Sequence, residues 1–337
     1  MQLVSSVQNV VQSNQTEKEI TLTIIVPAYN EAEVLHTFHH ELSKVLATLP
    51  SEQVEVLYIN DGSKDSTWEI MQDLPAHHAN IELINLSRNF GKEAAMTAGF
   101  DLAKGQCAIV LDADLQDPPD LIPLMLKKWR EGFDVVNMKR EERLGESKFK
   151  KLSAHLYYRL LARLSDVEIE KDVGDFRLLS RKVINEIKNL PERNRYMKGI
   201  MAWPGFRQTT MTFDRPERVA GETKWSFLQL VQLGLSGITS FSVKPLRMAT
   251  WLGIMVSVGA FLFSAFVFIK ALFLGDPVAG YPSLMLVQLW LGGVQLMAIG
   301  LLGEYVGRIF TETKQRPVYL VMENKSLKMS KASVVNG

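Results

Sequence analysis

Short, nearly unbroken apolar runs alternate with amphipathic stretches along the first 130 positions, the pattern left by buried strands joined by helices. Thr21 to Val26 reads as a strand ended by Pro27, and Glu31 to Leu49 as the helix that follows. Val54 to Ile59, Ile81 to Leu86 and Ala108 to Leu111 read as further strands, separated by helices over Ser66 to Leu74 and Lys92 to Ala103. Pro118 and Pro119 then stop the chain, and Asp120 to Arg130 carries Leu121, Leu124, Met125 and Trp129 on one helical side. This βαβαβαβ order predicts an α/β fold: an open, mostly parallel sheet, Rossmann-like, with helices on both faces and ligand loops at the carboxyl strand edge.

The pattern changes near the end. Met248 to Ile269 and Tyr281 to Gly303 contain no charged residue, and each is about 22 residues, or roughly 33 Å of helix, enough to span a bilayer. A hairpin of two transmembrane helices, about 248–270 and 281–303, is the expectation, with Gln288, Gln295, Gly303 and Gly307 suited to helix contacts. Lys244 and Arg247 precede the first span and Arg308, Lys314 and Arg316 follow the second, which puts both termini in the cytosol. Residues 1–20 are polar and lack the apolar core of a signal peptide, so they read as a flexible tail. Two amphipathic stretches, Phe149 to Leu164 and Trp225 to Phe241, suit either sheet packing or the membrane interface, the second favouring the interface.

Composition narrows the partners. With 337 residues, 47% hydrophobic, 22% charged and a net charge of +1, the chain has room for one domain plus the hairpin and carries no basic footprint for nucleic acid. Cys107, in an apolar strand, is the single cysteine, so an internal disulfide is impossible and a reducing compartment fits. The six histidines lack acidic or thiol partners at metal spacing and read as surface residues.

Candidate chemistry gathers at the strand ends. Asp112, Asp114 and Asp117 crowd the end of the fourth strand, and repulsion among them is relieved by a divalent cation with oxygen ligands, Mg²⁺ or Mn²⁺. The loops Pro27-Ala28-Tyr29-Asn30-Glu31, Asn60-Asp61-Gly62-Ser63 and Ser87-Arg88-Asn89-Phe90-Gly91-Lys92 converge on the same rim. Singly, Asn30 or Ser66 suits a helix cap and Asp61-Gly62 a turn. Together they favour a nucleoside diphosphate ligand. No Gly-x-Gly-x-x-Gly or Walker loop is present.

Those loops, with Asp112-Ala113-Asp114 and Arg88-Asn89-Phe90-Gly91-Lys92, resemble family 2 glycosyltransferases of the GT-A fold over residues 22–250. Within that family the chain is most similar to polyisoprenyl-phosphate glycosyltransferases, the branch of dolichol-phosphate mannose synthases and bactoprenol glucosyltransferases. It lacks the Gln-x-x-Arg-Trp motif of the processive synthases. The resemblance implies a GT-A catalytic domain at 21–214, an acceptor loop and juxtamembrane helix at 215–246, the membrane hairpin at 247–310 and a cytosolic tail at 311–337. It implies that Pro27, Tyr29 and Glu31 hold base and ribose, that Asp61 meets the uridine, that Lys92 lies near the nucleotide, and that Asp112, Asp114 and Gln116 hold the metal. Asp175, in Gly174-Asp175-Phe176-Arg177, matches the position proposed as catalytic base. A phosphate monoester is already largely ionised near neutral pH, however, so Asp175 equally suits orienting the sugar.

The acceptor implied is undecaprenyl phosphate, both anionic and apolar. Its phosphate calls for fixed positive charge, with Arg140, Arg143, Arg215, Arg218 and Lys224 as candidates and Arg218 and Lys224 foremost, although basic residues beside membranes also simply touch headgroups. The expected reaction is inverting transfer of a sugar, glucose by resemblance, from a UDP-sugar donor to the lipid phosphate at the cytosolic face of the inner membrane, for cell-envelope or O-antigen (lipopolysaccharide) modification. A separate flippase and a downstream glycosyltransferase are expected partners, and a homo-oligomer, a tetramer, the expected assembly. The alternatives are a membrane nucleotidyl- or phosphosugar transferase, or a non-catalytic nucleotide-sugar-binding subunit.

Overall fold

A computed structural model of the chain describes residues 19–49, 53–141, 173–193, 195–214, 244–274 and 280–327. The strands are β1 (Leu22–Ala28), β2 (Val54–Asn60), β3 (Asn80–Leu86), β4 (Cys107–Val110), β5 (Val135–Arg140), β6 (Val173–Ser180), β7 (Gln208–Phe213) and β8 (Val321–Leu327). They form one eight-stranded sheet in the order β7-β5-β6-β4-β1-β2-β3-β8. The block β4-β1-β2-β3 is parallel throughout. Outside it, β6 runs antiparallel to β4 and β5, β7 is parallel to β5, and β8 closes the far edge antiparallel to β3.

Every residue of β1, β2 and β4 is buried, a condition that a parallel sheet meets only when helices cover both faces. On one face α1 (Leu35–Ala47) brings Leu35, Phe38 and Leu42, and α4 (Ile122–Arg130) brings Met125 and Leu126, to Ile24, Val26 and Ile109. On the other, α3 (Lys92–Leu102) and α5 (Arg181–Asn189) set Ala95, Ala98, Val183 and Ile187 against Ile25 and Val110. The alternation of Ile24 and Ile25 between these cores is the period-two signature of a strand. Gly99 lets α3 lie close to β1, since a Cβ there would fall 2.3 Å from Ile25 Cγ2. The short helices α2 (Thr67–Gln72) and α6 (Met197–Ala202) complete the covering.

Several expectations are corrected. Pro27 does not end β1; the strand runs on to Ala28, with Pro27 opposite Ile59. Pairing with β4 stops at Ile25, so β1 has no neighbour on that side where the proline lacks its N–H. The helix expected from Glu31 begins only at Leu35; before it Glu31 O accepts from the Val34 and Leu35 N–H groups in a turn, while the Glu31 and Ala32 N–H groups donate across to Thr67 and Asp65. His39 is buried rather than at the surface, bonded to Tyr58 Oη at 2.8 Å and the Pro75 carbonyl at 2.9 Å, and burial lowers its pKa. The region 311–337, expected as a tail, contributes the edge strand Val321–Leu327 to the sheet.

Two long helices, α7 (Lys244–Leu274) and α8 (Tyr281–Thr313), pack against each other and occupy the positions of the expected hairpin. Among the described residues no helix is long and apolar enough to cross a membrane. Residues 149–164 and 225–241, with their two amphipathic stretches, lie outside the described residues.

Candidate active site

Four loops meet at the carboxyl ends of β1, β2, β3 and β4. The first two are laced together: Asn30 N–H donates to Ser63 Oγ at 3.0 Å, Lys64 N–H to Asn30 Oδ1 at 2.8 Å, and Glu31 N–H to Thr67 Oγ1 at 2.9 Å. Asn30, with φ of 56°, thus ties two loops and does not cap α1. Nor does the Ser66 side chain cap α2; Asp65 accepts from the Thr67 N–H at 3.1 Å. Pro27 is buried in β1, while Tyr29 and Glu31 are half-buried at the rim.

Asp61 binds the third loop. Its two carboxylate oxygens accept from the N–H groups of Phe90 at 2.8 Å and Gly91 at 2.9 Å. Burial raises its pKa, against these amides and Arg88. Gly62 has φ of 62°, and a Cβ on it would meet the Arg88 carbonyl carbon at 2.3 Å, so the two loops touch backbone to backbone. Asp61 thereby anchors the loop that presents Lys92.

Lys92 opens α3 and reaches across the strand ends. Its Nζ lies 2.7 Å from Asp112 Oδ1, 2.8 Å from Asp112 Oδ2 and 2.7 Å from Asp175 Oδ2. Burial would lower its proton affinity, but Asp112 and Asp175 raise it well above the ordinary lysine value. Asp175 answers in kind: burial favours its neutral form, yet Lys92, then Lys198 and Arg177, hold its carboxyl well below the usual range. Its Oδ1 is buried without a hydrogen-bond partner.

Beyond Asp112 the chain turns sharply. Asp114 Oδ1 accepts the Gln116 N–H at 3.0 Å, and Leu115 takes φ of 59°. Gln116 and Asp117 are buried. Burial, then Asp112 and Asp114, raise the Asp117 pKa, while Arg140 and Lys92 oppose the rise; Asp117 Oδ1 also lacks a hydrogen-bond partner. Among the described residues no three His, Cys, Asp or Glu side chains gather closely enough to make a metal site by themselves. Asp112 and Asp114 nonetheless suit Mg²⁺ or Mn²⁺ of the kind held by one or two carboxylates plus substrate phosphates.

Arg140, at the end of β5, stands over Gly174, whose added Cβ would lie 3.2 Å from Arg140 Nη2. It is the acceptor-phosphate candidate that the structure brings to the site. Arg143, Arg215, Arg218 and Lys224 lie outside the described residues. Sequence reasoning missed Glu93. Burial and the nearby Asp175 push its pKa up to about 7, against the Met197 N–H, which it accepts at 2.8 Å, and against Lys92 and Lys198. The signal available was its place directly after Lys92. Lys198 carried none, because α6 returns to the site from far along the chain.

The profile of glycosyl transferase family 2 matches residues 23–188. A glycosyltransferase of Synechocystis sp. is 46% identical over 304 residues, which are 90% of this chain and 95% of that protein. The bactoprenol glucosyl transferase of Shigella phage SfV is 44% identical over 304 residues, 90% of this chain and 99% of that protein. A prophage bactoprenol glucosyl transferase homolog of Escherichia coli is 42% identical over 304 residues, 90% and 99% of the two chains.

Proposed function

The chain belongs to glycosyl transferase family 2, and from that premise we propose that it moves a sugar from a UDP-sugar to a polyisoprenyl phosphate at the cytosolic membrane face. The observation that carries this reading is the Lys92 bridge, which sets Asp112 and Asp175 on either side of one cation at the strand ends. A diphosphate arriving there meets an ammonium already fixed by two carboxylates. Asp112 and Asp114 would hold a divalent cation, which supplies Lewis acidity to the departing diphosphate.

In the reaction an acceptor phosphate oxygen forms a bond to the anomeric carbon while the bond from that carbon to the UDP oxygen breaks, with inversion. Lys92 and Arg140 supply positive charge beside the phosphates. Asp175 stays ionised, held so by Lys92, and so depressed a carboxyl is a weak base. The acceptor phosphate, with a second pKa of about 6, needs little deprotonation. We therefore read Asp175 as orienting Lys92 and the sugar, a change from the base expected by resemblance.

The membrane reading is supported by the charge-free runs 248–269 and 281–303 and by exposed apolar side chains, Trp251, Phe261 and Phe273 on α7 and Leu284, Leu296 and Val306 on α8. Large exposed apolar surfaces mark contact with a membrane or another protein. The homologous bactoprenol enzymes favour the polyprenyl acceptor and, by name, glucose.

The test is detergent-purified full chain with Mg²⁺ or Mn²⁺, undecaprenyl phosphate and a panel of UDP-sugars. Lipid-dependent UDP release with glycolipid formation supports the reading. Release of UMP instead makes it a phosphosugar transferase, and inertness toward every donor removes the transferase assignment.

A further inference from the structure

Where α8 ends, the chain reverses through Gln315, with φ of 48°, and runs back to the sheet edge. This junction encloses a cavity of about 270 Å³, near the lower end of small-ligand sites, which run from roughly 300 to 1,000 Å³. Three cationic side chains line it: Arg193 from the loop after α5, and Lys314 and Arg316 from the segment after α8. Phe310, Pro317 and Val318 form its apolar wall. No acidic side chain lines it among the described residues.

Two carboxylates lie behind the cavity wall, neither of them lining it. Both oxygens of Glu312 accept the Arg193 backbone N–H at 2.9 Å. Burial first, and then Glu312, raise the Glu192 pKa against Arg195, and its Oε2 is buried without a hydrogen-bond partner, which favours the neutral form. The Lys314 ammonium lies 4.0 Å from the centre of the Phe310 ring, which keeps it at the cavity. The chain just beyond Val318 is anchored, since Tyr319 Oη donates to Asp101 Oδ2 at 3.0 Å and Ser87 N–H to the Leu320 carbonyl at 2.9 Å. Converging cations on fixed backbone, with planar arginine forks among them, suit a phosphate.

We propose that this cavity binds the phosphate of an anionic membrane phospholipid and so ties the catalytic sheet to the bilayer surface. The proposal rests on reading α7 and α8 as membrane helices. A lipid fits better than free phosphate because the apolar wall continues one turn along α8 from Phe310 to exposed Val306, where acyl chains would run. Arg193 belongs to the catalytic domain and Arg316 to the segment after the helix. One headgroup therefore joins the two parts and fixes the height of the donor site above the membrane.

The test is native mass spectrometry of the full chain in detergent, titrated with phosphatidylglycerol or phosphatidylcholine. The wild type is expected to retain phosphatidylglycerol preferentially. The double variant Arg193→Gln, Arg316→Gln should bind it roughly 30-fold more weakly, from the usual contribution of two juxtamembrane basic residues. UDP binding by calorimetry should be unchanged, which separates the effect from unfolding; Arg316→Glu alone, at an exposed position, provides a second variant. Equal retention by wild type and both variants, or of the two lipids, overturns the proposal. Displacement of phosphatidylglycerol by millimolar inorganic phosphate overturns the lipid source in favour of free phosphate. Release of the wild type from membranes by a carbonate wash would instead defeat the membrane reading itself.

Discussion

Lys92 Nζ stands 2.7 Å from Asp175 Oδ2, while the same ammonium lies 2.7 Å from Asp112 Oδ1. One side chain at the start of α3 thus bridges two carboxylates that would otherwise face each other, and the trio keeps one net negative charge. In Lys92→Met the two repel. Because the three side chains keep partial solvent contact, the expected loss of stability is about 1–2 kcal/mol, well under the full cost of breaking a buried pair. Denaturant unfolding measures it.

The same substitution should change cation binding. With its positive neighbour gone, Asp112 attracts a divalent ion more strongly, so Mn²⁺ binding followed by electron paramagnetic resonance should tighten in Lys92→Met without nucleotide. With UDP present, loss of the ammonium should weaken nucleotide binding. Unchanged Mn²⁺ affinity would separate Lys92 from the cation site.

Asp114 accepts the Gln116 N–H, and Asp114→Ala forfeits that turn bond, which contributes about 1 kcal/mol. Transferase turnover should fall at least roughly 100-fold, because a metal Lewis acid supplies several kcal/mol of transition-state stabilisation. Parallel melting curves and UDP-release rates test the split. Equal losses in both would reduce Asp114 to a turn residue.

Gly62→Ala tests the loop contact. The added methyl needs the φ of 62° and falls 2.3 Å from the Arg88 carbonyl carbon, so the loops must part and the Asp61 bonds to Phe90 and Gly91 must stretch. A loss of about 1–3 kcal/mol is expected from overpacking alone, together with a raised KM for the sugar donor as Lys92 shifts. A KM that stays constant would show that the loop tolerates the displacement.

How far the sequence foretold this site depends on range. β1 and β4 were legible as nearly unbroken apolar runs, the consequence of burial on both faces, and β2 and β3 as apolar runs broken only by Glu55 and by Glu82 and Asn85. β7 was not: its residues alternate between exposed and half-buried at a sheet edge and are rich in threonine, which weakens the periodic signal. β8 was read as tail because Glu323 and Lys325 mask an edge strand whose side chains meet solvent. Within the site, Asp112 and Asp114 announced themselves by spacing. The pairing of Lys92 with Asp175 joins α3 to β6 across the sheet, and local spacing carries no trace of it. Asp61 was noticed for the right loop, but its bonds to the Phe90 and Gly91 amides join residues 29 and 30 positions apart and left no local signal.

Glu93 provides the pH test. Its ordinary value of 4.5 rises to about 7 in the folded chain, through burial first and Asp175 second. A folded-state pKa above the unfolded one stabilises the protein fully below about pH 4.5, and that stabilisation is lost as pH climbs through about 7. Wild type should therefore lose stability relative to Glu93→Gln across this window, by at most about 1.4 kcal/mol per pH unit and about 3 kcal/mol in all. The glutamine can still accept the Met197 N–H, so the hydrogen bond is preserved while the charge is removed. Asp175, held low by Lys92, titrates below the window and leaves the comparison intact. Unfolding of both proteins from about pH 5 to 8 gives the difference directly. A gap that widens with pH and levels above about 7 places a buried, reluctantly ionised carboxyl beside Asp175. A gap that stays flat means that Glu93 is ionised throughout and that Lys92 and Lys198 outweigh its burial.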